Sequence, residues 1–248
     1  MGERSLSEAE NSTLSLKNLK IHYGSLEAVS DVSFDVPLGK VVSLLGANGS
    51  GKSTVLKAVS GLKKLTRGEI WFQGKRIDGR APQEIIVKGI AHVPERRGLF
   101  PYMTVFENLL MGAYSRKKAT KQEIERDLEE IYDHFSILRE RKKSLAVTLS
   151  GGQAEQLAIA RALMAKPKLL LMDEPLQGIS PVVVEEIAAL ITGLNKKSIT
   201  ILMVEHNISM SFELSDWIYI LDRGRVLLQG KPGDLSQTDY VRKSYLGV

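Results

Sequence analysis

The segment GANGSGKS, residues 46–53, is the feature that most constrains how this 248-residue chain can fold. It fits the pattern G-x-x-x-x-G-K-[ST] without a mismatch and lies between the apolar run 41–45 and a predicted helix that begins near Lys52. Glycines let the backbone curl so that successive N–H groups point at phosphate oxygens, and the helix N-terminus adds its positive dipole end. The order strand, loop, helix therefore predicts a phosphate-binding loop and not an ordinary glycine-rich turn.

The loop predicts a bound nucleoside triphosphate together with Mg²⁺. Lys52 can reach the β- and γ-phosphates, and the hydroxyl of Ser53 can ligate the metal ion. The residues predicted to contact the nucleotide here are Gly46, Ala47, Asn48, Gly49, Ser50, Gly51, Lys52, Ser53 and Thr54.

A second apolar run, residues 169–172, ends in two adjacent acids. Carboxylates at the C-terminal end of a strand lie where open α/β sheets bind their ligands. Asp173 is predicted to hold Mg²⁺ through a water molecule, and Glu174 to polarise the water that attacks the γ-phosphate. Adjacent acids often do no more than end a strand, but beside a phosphate loop they indicate an NTPase.

Strand-like and helix-like segments alternate along the chain, which predicts an α/β fold with a largely parallel central sheet. Three runs are continuously apolar and are predicted to be central strands covered on both faces: 41–45, 169–172 and 199–204. Three runs alternate apolar and polar residues and are predicted to be antiparallel, half-exposed strands: 14–21, 32–36 and 69–72. Residues 217–221 and 226–229 flank DRGR and predict a closing hairpin.

The middle of the chain, residues 94–165, is predicted to be a mainly helical insertion. Within it, residues 121–139 place apolar side chains at spacings of four and three, which predicts a single amphipathic helix. The apolar stripe consists of Ile124, Leu128, Ile131, Phe135 and Leu138.

Composition excludes several classes of site. The chain contains no cysteine, so disulfides, thiolate zinc sites and thiol nucleophiles are ruled out. No apolar run approaches the ~18 residues of a membrane span, and no secretory signal is expected. The net charge of +5 is too mild to indicate a nucleic-acid partner.

The segment LSGGQ, residues 149–153, followed by AIARAL at 158–163, resembles the signature of the ATP-binding cassette (ABC) family. A serine and two glycines at a helix start form a second phosphate-binding surface. In that family the surface covers the γ-phosphate of the nucleotide bound by the opposite subunit. The resemblance therefore adds Ser150, Gly151, Gly152 and Gln153 to the predicted nucleotide-binding residues.

The resemblance implies a P-loop NTPase fold of the ABC ATPase type, with a RecA-like core, an N-terminal antiparallel β subdomain and a helical subdomain. The ATP-binding domain would span residues 14–248 after a flexible tail, 1–13. The α/β core would comprise 14–93 and 166–248, and the helical signature subdomain 94–165.

Single residues can be matched to the family as well. Tyr23 stands where the family stacks an aromatic ring on adenine, although a lone tyrosine more often packs at a strand end. His206 matches the family's switch histidine, which contacts the γ-phosphate, although a lone histidine at a strand end is usually only a polar edge residue. The predicted catalytic residues are Lys52, Glu174 and His206.

Two positions depart from the usual pattern of the family. Glu95 stands where many members carry the glutamine that touches Mg²⁺. Its carboxylate can still offer an oxygen to the metal, but its charge beside the γ-phosphate needs compensation. The loop LQGIS, residues 176–180, lacks the residues that the family usually has there, so its role between subunits is less secure than the roles of Asp173 and Glu174.

Phrases such as VPERRGLFPYMT (93–104) and DEPLQGISP (173–181) are similar to the subgroup that drives import of branched-chain and other hydrophobic amino acids. Glutamate in place of the glutamine is usual in that subgroup. Residues 98–112 would then face the permease. The alternatives are a lipopolysaccharide-type export ATPase, a soluble ATP-driven machine acting on DNA or ribosomes, and a regulator without turnover.

The resemblance also implies partners. These are a second cassette, either identical or paralogous, integral-membrane permease subunits, and an extracytoplasmic solute-binding protein reached through the permease. No nucleic acid is expected. The chain would lie peripherally on the cytoplasmic face of the inner membrane.

Overall fold

The computed structural model describes residues 12–243, and the ten strands found there form one mixed sheet with helices packed on it. The strands are β1 (Ser12–Tyr23), β2 (Leu26–Pro37), β3 (Val41–Leu45), β4 (Arg67–Phe72), β5 (Lys75–Arg76), β6 (Ile90–Val93), β7 (Leu169–Asp173), β8 (Thr200–Val204), β9 (Trp217–Asp222) and β10 (Arg225–Gly230).

The helices alternate with the strands on either side of a long helical segment. They are α1 (Lys52–Val59), α2 (Pro82–Val87), α3 (Val105–Gly112), α4 (Lys121–His134), α5 (Ser136–Glu140), α6 (Gly151–Leu163), α7 (Pro181–Lys196), α8 (Ile208–Leu214), α9 (Pro232–Leu235) and α10 (Asp239–Val241). Short 3₁₀ turns cover Ala113–Ser115 and Ala146–Thr148.

Hydrogen-bonded neighbours in the sheet run in the order β5-β4-β1-β2-β10-β9-β3-β8-β7-β6. The pairs β9–β3, β3–β8, β8–β7 and β7–β6 are parallel. Every residue of β3, β7 and β8 is buried, as expected for apolar strands with both faces covered. The predicted α/β fold with a parallel central sheet is therefore confirmed.

The predicted antiparallel strands also form. Strand β1 pairs antiparallel with β2 on one side and with β4 on the other, and its burial alternates along much of its length. Strands β9 and β10 make the predicted hairpin. A single parallel pair between Arg225 and Asp31 joins this hairpin to β2, so the antiparallel and parallel strands belong to one continuous sheet.

The helical segment shares an apolar core with the sheet. Leu157 and Ile159 of α6 belong to the same buried cluster as Leu170 of β7 and Met203 of β8. Because one cluster covers both parts, the helix that carries the signature shares its core with β7 and β8, the strands that precede Glu174 and His206.

Three sequence predictions need correction. The predicted single helix 121–139 is interrupted at Phe135, whose backbone is not helical and whose ring is buried. Packing of that ring outweighs the unbroken periodicity. Strand β1 begins at Ser12, so the last two residues of the predicted tail 1–13 are in the sheet, and residues 1–11 lie outside the described part. Strand β8 begins at Thr200, one residue later than predicted.

Between residues 12 and 243, none of the helices is both long and apolar enough to cross a bilayer.

Candidate nucleotide-hydrolysis site

The loop at residues 46–51 is held in a conformation that requires glycine at two positions. Gly46 has φ 146°, and a Cβ there would lie 2.1 Å from the carbonyl oxygen of Leu221. Gly51, which precedes α1, has φ 103°, and a Cβ there would lie 2.6 Å from the carbonyl oxygen of Ala28. At these two positions the loop lies against β9 and β2, which leaves no room for a side chain at either one.

Two polar side chains at this loop, those of Lys52 and Ser50, are buried. The Nζ atom of Lys52 donates to the carbonyl oxygens of Gly46, at 2.8 Å, and Ala47, at 3.0 Å. Burial lowers the pKa of Lys52, and the charges of Glu174 and Asp173 oppose this effect. The hydroxyl of Ser50 is buried and finds no hydrogen-bond partner among residues 12–243. A phosphate group is a ligand that would satisfy both.

The predicted metal ligands lie next to one another. Ser53 donates its hydroxyl to Oδ1 of Asp173 at 2.8 Å, which joins the start of α1 to the end of β7. Burial raises the pKa of Asp173, the hydrogen bond from Ser53 opposes this, and the charges of Glu174 and Glu95 add to the rise. Glu95 is exposed, and it lies at the same edge of the sheet because Val93 of β6 pairs with Met172 of β7.

These oxygens fit Mg²⁺ in part. Hydroxyl and carboxylate oxygens are the donors that this ion takes in proteins, usually a few at a time, together with phosphate oxygens and water. Within residues 12–243, no group of three or more acidic or histidine side chains could hold a metal ion by itself. The donor set therefore matches an ion that arrives with a nucleotide and not a metal centre built from protein alone.

Glu174 and His206 meet at the same edge of the sheet. Nε2 of His206 lies 2.7 Å from Oε1 of Glu174, and the glutamate side chain is only 10% exposed. The two residues follow neighbouring strands whose register pairs Asp173 with Val204. The N–H of Glu174 donates to the carbonyl of Val204 at 2.9 Å, and its backbone has φ 57°. The fold thus brings together the predicted catalytic acid and the predicted switch histidine.

Sequence reasoning missed Glu205, which joins the loops that follow β7 and β8 and carry the predicted catalytic residues. Its buried carboxylate accepts from the N–H of Leu176, at 3.0 Å, and from the N–H of His206, at 3.3 Å. Burial raises the pKa of Glu205 to about 7, backbone hydrogen bonds oppose the rise, and the charge of Glu174 adds to it. An acid directly after a buried strand and directly before His206 was the available signal.

The signature residues form the start of α6. The hydroxyl of Ser150 accepts from the N–H of Gln153, and the side chain of Gln153 accepts from the N–H of Ser150 at 3.1 Å. A Cβ at Gly152 would lie 2.9 Å from Cγ2 of Val183, so the helix start packs tightly against α7. These hydrogen bonds join Ser150 and Gln153 to each other and not to the phosphate loop.

Tyr23 ends β1 and is 43% exposed. Nζ of Lys63 lies over its ring, 3.9 Å from the centroid, so a cation covers one face of the aromatic group. The predicted stacking of adenine on Tyr23 would then use the opposite face of the ring.

Comparisons with known proteins agree on the family. Residues 29–177 match the family model described as ABC transporter. The high-affinity branched-chain amino acid transport ATP-binding protein BraG of Pseudomonas aeruginosa is 38% identical over 94% of this chain and 99% of its own length. The lipopolysaccharide export system ATP-binding protein LptB of Haemophilus influenzae is 34% identical over 95% and 98%.

A solved structure extends the similarity to a nucleotide-bound state. It is the dimeric, post-hydrolysis state of the ATP-binding cassette MJ0796, bound to ADP and Pi. It superposes with a TM-score of 0.80 at 27% identity and covers 88% of this chain and 98% of its own.

Proposed function

Since the chain belongs to the ABC transporter family as an ATP-binding, ATP-hydrolysing cassette, we propose that it energises the import of branched-chain or other hydrophobic amino acids. The assignment of roles to its residues rests chiefly on one observation. The hydrogen bond between Glu174 and His206 lies at the sheet edge that also carries the phosphate loop.

In the proposed reaction, ATP occupies the loop at residues 46–54. Lys52 exchanges its two loop carbonyls for the β- and γ-phosphates, and Ser50 gains the partner that its hydroxyl lacks. Glu174 polarises the attacking water and accepts a proton from it as the bond to the γ-phosphorus forms and the bond to the β-phosphate oxygen breaks. His206 orients the carboxylate of Glu174 through Nε2 and contacts the γ-phosphate.

The residues that would hold Mg²⁺ are Ser53 and Asp173, with Glu95 offering a further oxygen. When bound, the ion neutralises charge that develops on the phosphate oxygens. Asp173 must be ionised for this role. Although burial favours its protonated form, the hydrogen bond from Ser53 favours the carboxylate.

Members of this family act as dimers with membrane permease subunits, and we propose the same assembly for this chain. In the dimer, Ser150, Gly151, Gly152 and Gln153 would cover the nucleotide held by the opposite cassette. The exposure of Ser150 and Gly151 at the start of α6 supports this proposal, because the first N–H groups of a helix have no partner within the helix.

The surface proposed to meet the permease includes residues 98–112. Several large apolar side chains are exposed there or close by, among them Tyr102, which is 82% exposed, and Tyr114, which is 75% exposed. A group of exposed aromatic side chains indicates an interaction surface. Docking on a permease places the chain peripherally at the cytoplasmic face of the membrane, with a solute-binding protein on the other side.

The amino-acid substrate class rests on similarity to the branched-chain amino acid transport ATP-binding protein BraG, and the similarity to LptB keeps lipopolysaccharide-type export as the second candidate. The test is to purify the tagged chain from membranes in mild detergent, identify the co-purifying permease, and measure leucine uptake in cells that lack the chain.

Import predicts an amino-acid permease in the complex and uptake restored by the wild-type chain but not by Glu174→Gln. Co-purification with an export permease, with uptake unchanged, would overturn the proposed substrate class.

A further inference from the structure

An ion pair outside the predicted site joins the loop after β6 to helix α6. Nε of Arg97 donates to Oε2 of Glu155 at 2.7 Å, and the side chain of Glu155 is only 5% exposed. Burial raises the pKa of Glu155, and the hydrogen bond and charge of Arg97 oppose that rise. A buried carboxylate loses much of its stabilisation when its cation is removed, so the pair holds its two segments at one distance.

The same loop is fastened to the same helix a second time. Arg161, further along α6, donates to the carbonyl oxygens of Gly98, at 2.8 Å, and Arg97, at 3.0 Å. Arg97 itself has φ 59°, a left-handed backbone conformation that residues other than glycine rarely adopt unless surrounding contacts hold it. The segment that carries Glu95 and the helix that begins with the signature are therefore tied together at two levels of α6.

The guanidinium of Arg97 also lies beside the start of the signature. A Cβ placed on Gly151 would be 3.8 Å from Nη2 of Arg97 and 3.9 Å from the carbonyl oxygen of Gly178. Three segments thus converge at the first glycine of α6: the loop after β6, the loop after β7 and the helix start. A shift of Arg97 would therefore displace the start of α6, which is the surface that contacts the second nucleotide in the proposed dimer.

We propose that Arg97 is a positioning residue. Through Glu155 it fixes the signature relative to the loop of Glu95, so that the start of α6 meets the phosphate held by a second copy of this chain or a paralogue. This inference rests on the proposed function, because it requires a nucleotide shared between two cassettes.

The test uses the full chain with Glu174→Gln, a background that is expected to form a stable dimer when ATP is added. Dimer affinity is measured by sedimentation for this background, for Arg97→Ala, for Glu155→Ala and for both together. Each alanine is expected to weaken the dimer about tenfold, and the double variant to be no weaker than either single one, because the two residues act as one pair. Arg96→Ala, an exposed neighbour in the same loop, is the matched control.

A second readout separates positioning from general damage. Binding of a fluorescent ATP analogue to the monomer should remain within twofold of the background, because the phosphate loop is not altered. If an alanine variant unfolds, dimer affinity is compared instead between Arg97→Gln and the double variant Arg97→Gln with Glu155→Gln. In the double variant the two amides can still form a hydrogen bond. The combination should then dimerise more tightly than the single variant.

The outcomes are distinguishable. If Glu174→Gln alone fails to dimerise with ATP, both the proposed function and the inference are overturned. If it dimerises and Arg97→Ala dimerises equally well, or if the two alanine effects simply add, the inference alone is overturned. Equal dimer affinity of Arg97→Gln and of its combination with Glu155→Gln would likewise overturn the inference alone.

Discussion

Glu205→Gln should change how the stability of this protein depends on pH. The carboxyl group of Glu205 is 2% exposed and lies near the charge of Glu174. These surroundings raise its pKa from the ordinary value of 4.5 to about 7 in the folded chain. The unfolded chain exposes the same group to water, where it ionises near 4.5, so the two states bind different numbers of protons between those pH values.

The direction and size of the effect follow from this difference. Below pH 4.5 the group is protonated in both states and contributes nothing. As the pH rises toward 7, the unfolded chain ionises while the folded chain does not, so the free energy of unfolding falls. Because each pKa unit corresponds to about 1.4 kcal/mol, the full loss in the wild-type protein is about 3 kcal/mol, reached just above pH 7.

Glutamine does not titrate, so the variant escapes this loss. The glutamine amide nitrogen is a donor, so it cannot accept from the backbone N–H groups that donate to the carboxylate. This mismatch lowers the free energy of unfolding by an amount that is the same at every pH. Relative to the wild type, the variant should therefore gain about 3 kcal/mol between pH 4.5 and 7.5. For a chain of this size, that is a relative shift of roughly 6–12 °C in Tm.

The measurement is thermal unfolding of both nucleotide-free proteins across pH 4.5 to 8, followed by circular dichroism. Glu185→Gln is the matched control, because it removes one carboxylate from an exposed position on α7. Its Tm should track that of the wild type at every pH. A Tm difference between Glu205→Gln and the wild type that stays constant from pH 5 to pH 8 would refute the reasoning.

Three further predictions concern the nucleotide site. Glu174→Gln should retain ATP binding but lower kcat at least about a hundredfold, since the amide cannot accept the proton of water; near-normal steady-state hydrolysis would contradict its role. Lys52→Ala should weaken ATP binding about tenfold or more, measured by isothermal titration calorimetry, because a charged hydrogen-bond donor to phosphate is lost; unchanged affinity would contradict the phosphate-loop assignment. Tyr23→Ala should weaken ATP binding about fivefold or more while Tyr23→Phe keeps it, since stacking needs only a ring; equal losses in both variants would exclude stacking.

Local patterns in the sequence were sufficient for most strands of the sheet, although β2 is longer than predicted and β5 was not predicted. Strand β3 has the predicted bounds, because an unbroken apolar run beside a glycine-rich loop leaves few alternatives. The pair Ser53 and Asp173, 120 residues apart, could be predicted to meet because Ser53 follows β3 and Asp173 ends β7 at the same edge of the sheet.

Other features depend on packing that periodicity does not record. The apolar stripe runs unbroken through Phe135, whose side chain is buried as the stripe predicts, yet the backbone leaves the helical conformation there. Arg97 and Glu155 are 58 residues apart, and nothing in either segment indicates that their charges pair. Glu205 could be seen as an acid beside His206, but its burial depends on how two loops fold over it.

The backbone of Glu174 has a consequence of its own. An L-residue with φ 57° costs the fold roughly 1–3 kcal/mol, and this position is the one that carries the proposed catalytic carboxylate. A glycine there would relax the backbone and abolish hydrolysis at the same time. Selection for folding stability and selection for turnover therefore act in opposite directions at this residue. A variant library ranked by Tm alone would tend to lose ATPase activity.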